Sequence, residues 1–320
     1  MIIERGKGKV GLIGTGMVGA SFAYSLMQSG LTSELVLIDR DEGRAEGEAM
    51  DLNHGLPFVR PMRIQAGGYE LLAGSDVVVI CAGANQRPGE TRLDLLQKNA
   101  GVFRDIIPKA VAASPDAIFV IATNPVDILT HISVELAGLA PGRVIGSGTT
   151  LDSARFCFNL GDFFGVDPRS VHAWIVAEHG DTAVPVWSLA DVAGLPLCDF
   201  RGPSGKTLDA AAMQHIFQQT RDAGYEIIRR KNSTYYAIGM ALLAIVVTIL
   251  RDQHSVLPVS VPLTGQYGVD GMALSLPAII GRGGVERILD IPMDDEEIAA
   301  FRRSAQTLKD RLAELPKGAN

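Results

Sequence analysis

From Lys9 onward the first half of the chain alternates short apolar runs with stretches of helical spacing. The runs are "KVGLIG", "ELVLID", "MRIQAG", "DVVVICAG", "DAIFVIATN" and "RVIGSG". Several are apolar without interruption, as strands are when helices cover both faces of their sheet. The alternation predicts an α/β fold, a doubly wound parallel sheet with crossover helices. The second half reads as mixed α+β. There "SVHAWIVAEHG", "HSVLPVSVPL" and "MALSLPAIIG" have strand character, and helical spacing runs from Gly205 to Lys231 and from Asp294 to Leu315. The last stretch puts Ile298, Phe301, Ala305, Leu308, Leu312 and Leu315 on one stripe behind the acidic start "DDEE", so it is expected to lie against the body of the protein. With no linker, repeat or low-complexity segment between them, the halves divide at a tight boundary near Gly148, giving units 1–147 and 148–320.

The longest apolar run, "YYAIGMALLAIVVTIL", has 16 residues, Tyr235 to Leu250, short of the roughly 20 that span a bilayer. It predicts a buried helix rather than a membrane segment. The N-terminus mixes acid and base early and lacks a cleavable apolar core, so no signal peptide is expected. A net charge of −7 without a basic tract argues against a nucleic-acid partner. Cys81, Cys157 and Cys198 are too scattered for a disulfide framework or a metal site, and a cytoplasmic location without a bound metal is expected.

Four motifs carry chemistry. Gly14-Thr15-Gly16-Met17-Val18-Gly19 stands between a strand and a helical pattern, where Gly14, Gly16 and Gly19 allow a tight turn, backbone approach to a pyrophosphate and close helix packing. Asp39 closes the second strand, placed to accept ribose hydroxyls; its charge would repel a 2′-phosphate, which favours NAD over NADP. His179, in Glu178-His179-Gly180-Asp181 after a strand, is a candidate acid–base group. Asp152 and Arg155 are three residues apart and share a helix face, so the carboxylate can hold the imidazole and the guanidinium can grip a substrate carboxylate. Thr123-Asn124-Pro125 sits at a strand's carboxyl end, where open parallel sheets bind ligands. A turn that needs glycine for packing alone, an Asn-Pro turn without function, an ordinary intrahelical ion pair and a structural histidine are the alternatives for the four motifs taken singly. A fifth stretch, "NQRPGETR" (Asn85 to Arg92), puts two arginines and a glutamine in a Pro-Gly loop after a buried strand, suiting either a solvated connector or a lid.

"GTGMVG", "GANQRPGETRLDLLQKN", "TNPVD", "GSGTTLDSARF", "AEHGDTAVPVWS" and "STYYAIG" together resemble the signatures of the lactate/malate dehydrogenase family, in order and over essentially the whole chain, most closely its bacterial L-lactate members. The resemblance implies a Rossmann-type NAD-binding domain, a mixed catalytic domain, NAD as cofactor and a homotetramer. By matching motif it implies that His179 is the proton donor and acceptor, Asp152 its partner, Arg155 the carboxylate anchor and Arg92 a lid arginine polarising the substrate carbonyl. Asn124 would hydrogen-bond that carbonyl, and Thr234 would stand beside the substrate's side chain. Val18, Asp39, Arg44, Tyr69, Gly83, Ala84, Asn124 and Ser147 fall where the family contacts the cofactor.

The implied reaction is a reversible hydride transfer between NAD and a short 2-hydroxy acid. Gln86 separates the two substrate classes: malate-type relatives place an arginine there, whereas a neutral amide leaves a second carboxylate unpaired, so pyruvate and lactate are expected over oxaloacetate and malate. A non-catalytic NAD sensor would need only the glycine loop and Asp39, and the chain carries His179, Asp152, Arg155 and Arg92 as well. One departure concerns regulation. Relatives activated by fructose 1,6-bisphosphate carry an arginine where this chain has Cys157, beside a histidine matching His172, and a thiol cannot replace a guanidinium against a phosphate.

Overall fold

The structure, a computed structural model, describes residues 8–84, 92–203 and 205–315. The six apolar runs of the first half form six strands: β1 (Lys9–Ile13), β2 (Glu34–Ile38), β3 (Arg63–Ala66), β4 (Val77–Ile80), β5 (Ile118–Ile121) and β6 (Val144–Gly146). All pair in parallel, in the order β3-β2-β1-β4-β5-β6. This is the doubly wound order, whose switch point lies between β1 and β4. Helices α1 (Met17–Ser29), α2 (Glu42–Gly55), α3 (Arg92–Ala113) and α4 (Val126–Ala137) connect them. Every residue of β4 and β5 is buried because helices cover both faces, which is why those strands read as unbroken apolar runs. Phe22, Leu37, Phe103 and Phe119 are among the fully buried side chains, each stabilising the fold by about 1.5–3 kcal/mol through area removed from water.

The second half contains α5 (Thr150–Phe164), β7 (Val171–Val176), β8 (Val184–Val192), β9 (Leu195–Pro196), α6 (Ala210–Lys231), α7 (Tyr236–Leu250), β10 (Ser255–Thr264), β11 (Asp270–Gly281), β12 (Gly284–Ile288) and α8 (Asp295–Ala313). Its strands divide between two sheets. β7, β8 and β9 form a small antiparallel sheet over a second core built on Phe156, Phe164 and Ile175. β10, β11 and β12 extend the large sheet, with Ser260 of β10 antiparallel to Gly146 of β6. The chain leaves β6 through Gly148 at φ 52°, where a Cβ would stand 2.5 Å from the Ser260 nitrogen; a side chain is excluded there by conformation and by space alike.

Two sequence expectations need correction. The helical stretch drawn from Gly205 begins at Ala210, because the Asp209 carboxylate accepts the Ala212 N–H and caps it there. α7 is not buried all round: Tyr236 and Met240 are 69% and 57% exposed. α8 lies against the body as expected, with Phe301, Ala305 and Leu308 buried and a capping box between Asp294 and Glu297. Among the described residues no helix is long and apolar enough to cross a membrane.

Candidate active site

The segments that follow β5, β6 and β7 converge with the first turn of α1 and with α5, α6 and α7 around a cavity of about 260 Å³. On the nucleotide side, Gly14 takes φ 97°, and a Cβ there would press within 2.4 Å of the Ala82 nitrogen. A Cβ at Gly19 would stand 2.0 Å from the Gly14 carbonyl oxygen, so this glycine lets α1 approach the turn. Gly16 is different. It is the N-cap of α1, makes no side-chain cap, and among the described residues a Cβ added to it would meet nothing within 4 Å. No described residue requires that glycine, whereas a pyrophosphate drawn to the first-turn N–H groups would.

Asp39 follows β2 and turns back to this loop. Its carboxylate accepts the Thr15 N–H at 2.8 Å, the Thr15 hydroxyl at 3.1 Å and the Asp41 N–H at 3.1 Å. Burial works to raise its pKa, but these donors and the nearby Arg44 outweigh it and hold the carboxyl below its ordinary value. Arg44 donates from Nε to the Thr15 carbonyl at 3.2 Å. The residues therefore fit a nucleotide, with the first turn of α1 available to hold its phosphates and the ionised Asp39 its ribose hydroxyls. Tyr69 is half-buried on a 3-10 turn with the Lys109 ammonium 6.0 Å from its ring centroid.

Gly83 and Ala84 follow β4, and sequence reasoning missed the residue that fixes them. Asn99 of α3, 1% exposed, accepts the Ala84 N–H at 2.8 Å and donates to the Asn124 carbonyl at 2.9 Å, tying the loops after β4 and β5 together. An amide on an otherwise buried helix stripe with Leu96 and Phe103 was its signal. The Thr123 hydroxyl adds a bond to the Ala82 carbonyl at 2.8 Å. Val18, Asn124 and Ser147 reach the cavity wall together with Asp152, Arg155, His179 and Thr234.

The chemical centre is built on α5 and the end of β7. Asp152, 8% exposed, lies against His179 Nδ1 through one oxygen and accepts Arg155 Nη1 at 3.1 Å through the other. Burial would push the Asp152 carboxyl up, but His179 and Arg155 outweigh it and bring it below its usual value. Burial would likewise lower His179, and Asp152 outweighs it, so the imidazole is more basic than an ordinary histidine. With Nδ1 engaged, Nε2 is the ring nitrogen left to exchange a proton with a ligand in the cavity.

A second carboxylate, also missed as a functional group, supports this histidine from below. Asp127, the last residue of "TNPVD", is 2% exposed and accepts the His179 backbone N–H at 2.8 Å. Burial pushes its carboxyl up to about 6. Phe217, Arg221, Tyr225 and Ile228 of α6 form the opposite wall, none of them singled out from sequence. Gln86 lies outside the described residues, as does the side chain of Arg92, whose backbone begins α3.

Family models match both halves of the chain. Residues 8–146 match the family model of the lactate/malate dehydrogenase NAD binding domain, and residues 149–317 that of the lactate/malate dehydrogenase alpha/beta C-terminal domain. An L-lactate dehydrogenase of Thermoanaerobacter sp. (strain X514) is 48% identical over 96% of this chain and 99% of its own. One from Priestia megaterium is 50% identical over 94% of each. Among solved structures, the minor L-lactate dehydrogenase from Enterococcus mundtii superposes with a TM-score of 0.93 at 40% identity, covering 98% of this chain and 99% of its own.

Proposed function

The chain belongs to the lactate/malate dehydrogenase family, and from that premise we infer that it catalyses the reversible, NAD-dependent interconversion of L-lactate and pyruvate. One observation carries the mechanistic part: a histidine paired through Nδ1 with a buried aspartate stands in the same cavity as an arginine, with Val18 at the start of α1 and Ser147 after β6. When bound, NAD supplies the hydride acceptor, and NADH the donor.

The protein's own groups position the substrate and move the proton. Arg155 takes the substrate carboxylate, its guanidinium offering a fork of donors. In pyruvate reduction the protonated His179 gives its Nε2 proton to the carbonyl oxygen as charge gathers there; in lactate oxidation the neutral ring removes the hydroxyl proton. Asp152 stabilises the imidazolium and holds the ring's tautomer. Asn124, whose backbone carbonyl accepts from Asn99, is assigned as a donor to the same substrate oxygen. Arg92 is assigned the polarising role at the lid and Gln86 the discrimination against a second carboxylate. Thr234 bounds the space for the substrate methyl.

Residues 1–147 and 148–320 are assigned as cofactor and catalytic units, with the second lending β10–β12 to the first unit's sheet. A homotetramer is supported by exposed Met17 and Tyr24 on α1, Met50 on α2, and Tyr236 and Met240 on α7, which packs against α1. Three unpaired cysteines support a reducing cytoplasm. His179→Asn tests the central role: turnover should vanish while NADH affinity, read by cofactor fluorescence, stays as in the wild type. Loss of NADH binding in that variant would contradict the division of labour.

A further inference from the structure

The loop that carries His179 leaves β7 through Ala177, a fully buried residue at φ 71°. Side chains rarely adopt that left-handed conformation unless their surroundings hold it. Three contacts do so here. Ala177 exchanges backbone hydrogen bonds with Ser275 of β11 at 2.9 and 3.0 Å, and Asp127 accepts the His179 N–H. The third comes from the far end of the chain. Glu178, 4% exposed, takes Arg311 Nη1 of α8 on Oε1 at 2.6 Å, and the Thr182 N–H at 3.0 Å and hydroxyl on Oε2. Its own N–H donates to the Ser304 hydroxyl of α8 at 3.2 Å, which also meets the Thr182 hydroxyl at 2.7 Å. The loop closes so tightly on this carboxylate that a Cβ at Gly180 would lie 2.9 Å from Glu178 Oε1.

A carboxylate this buried is stable in place only while a cation and donors surround it; without Arg311 it is drawn toward water and takes the loop with it. The next residue in that loop is His179. We propose that Arg311 is a positioning residue for the reaction: by holding Glu178 it aims the His179 imidazole at the cavity, so that α8, none of whose described residues lines that cavity, takes part in aligning the proton transfer. The proposal rests on the reading of His179 as the proton carrier.

The test uses the full-length protein with Arg311→Ala, Arg311→Lys and Glu178→Gln, measuring pyruvate reduction across pH and NADH affinity by fluorescence. Because misplacement of a reacting group by about 1 Å can cost 100-fold, Arg311→Ala should lower kcat by at least about 10-fold. NADH affinity should hold, and the pH at which activity falls should move. Arg311→Lys should recover most of the rate, and added guanidinium at non-denaturing concentration should recover part of it in Arg311→Ala but none in His179→Asn. Should Arg311→Ala fold poorly, Glu178→Gln reads the same link, since it keeps the side chain's size and removes the charge that Arg311 holds. A folded Arg311→Ala or Glu178→Gln protein with wild-type kcat per active site and an unmoved pH profile would overturn the proposal. If His179→Asn itself turned over normally, the underlying role of His179 would fail instead.

Discussion

Replacing Asp152 by asparagine removes one charge from the middle of a three-membered array without changing its shape. In the folded protein that carboxylate, 8% exposed, is shared between His179 Nδ1 and Arg155 Nη1. Asparagine can still accept from Nδ1–H, but as a neutral amide, and it can also present its NH₂ and select the wrong tautomer. A charge-assisted hydrogen bond to the imidazolium is worth about 2–3 kcal/mol, and at 1.36 kcal/mol per tenfold its loss corresponds to about 30- to 150-fold in kcat/KM for pyruvate at neutral pH. The pH dependence follows with its sign. Asp152 outweighs burial and raises the His179 pKa, so wild-type pyruvate reduction persists above the ordinary histidine value of 6.5 and is lost as pH rises through the folded-state pKa. In Asp152→Asn burial remains and the main opposing charge is gone; the falling limb must move to lower pH. Lactate oxidation, which needs the neutral ring, should begin at lower pH in the variant. Steady-state NADH absorbance from about pH 5 to about pH 9 in both directions reads these limbs. A variant whose limbs coincide with the wild type's would refute the account of Asp152.

Two further outcomes are expected. Gly16→Val should leave thermal stability within about 1 kcal/mol of the wild type, because no described residue occupies the space beside Gly16, while weakening NADH by at least about 100-fold, or 2.7 kcal/mol; fluorescence titration and thermal melts together check it. Fructose 1,6-bisphosphate should not lower the half-saturating pyruvate concentration in saturation curves: Cys157 is a thiol whose pKa burial raises, His172 is paired with Asp191 at 3.1 Å and Arg169 with Asp167 at 2.6 Å, and a missing guanidinium forfeits about 2 kcal/mol or more per phosphate contact.

The parallel half of the fold was legible because its strands are buried on both faces and its glycine loop has a local signature. The destination of "HSVLPVSVPL" was not: its pairing with β6 joins Ser260 to Gly146, and no periodicity within either segment encodes a partner so distant in sequence. The apolar uniformity of Tyr235 to Leu250 concealed the face that α7 leaves open at Tyr236 and Met240. At the site, His179, Asp152, Arg155 and Asn124 stood out as polar residues at the ends of apolar strands or on one helix face, and the structure brings all four to one cavity. Their supports did not stand out. Asn99, Asp127 and Arg311 act across 25, 52 and 133 residues of chain, through buried contacts that only the tertiary fold creates. Gln86 was read from the resemblance alone.

That glutamine bears the most specific claim made for this protein. Initial rates with NADH and either pyruvate or oxaloacetate, for the wild type and Gln86→Arg, test it most directly. Pyruvate should be strongly preferred by the wild type, and the arginine should shift the ratio of specificity constants toward oxaloacetate by at least about 100-fold, since a buried unpaired carboxylate costs several kcal/mol. A wild-type preference for oxaloacetate would contradict the assignment.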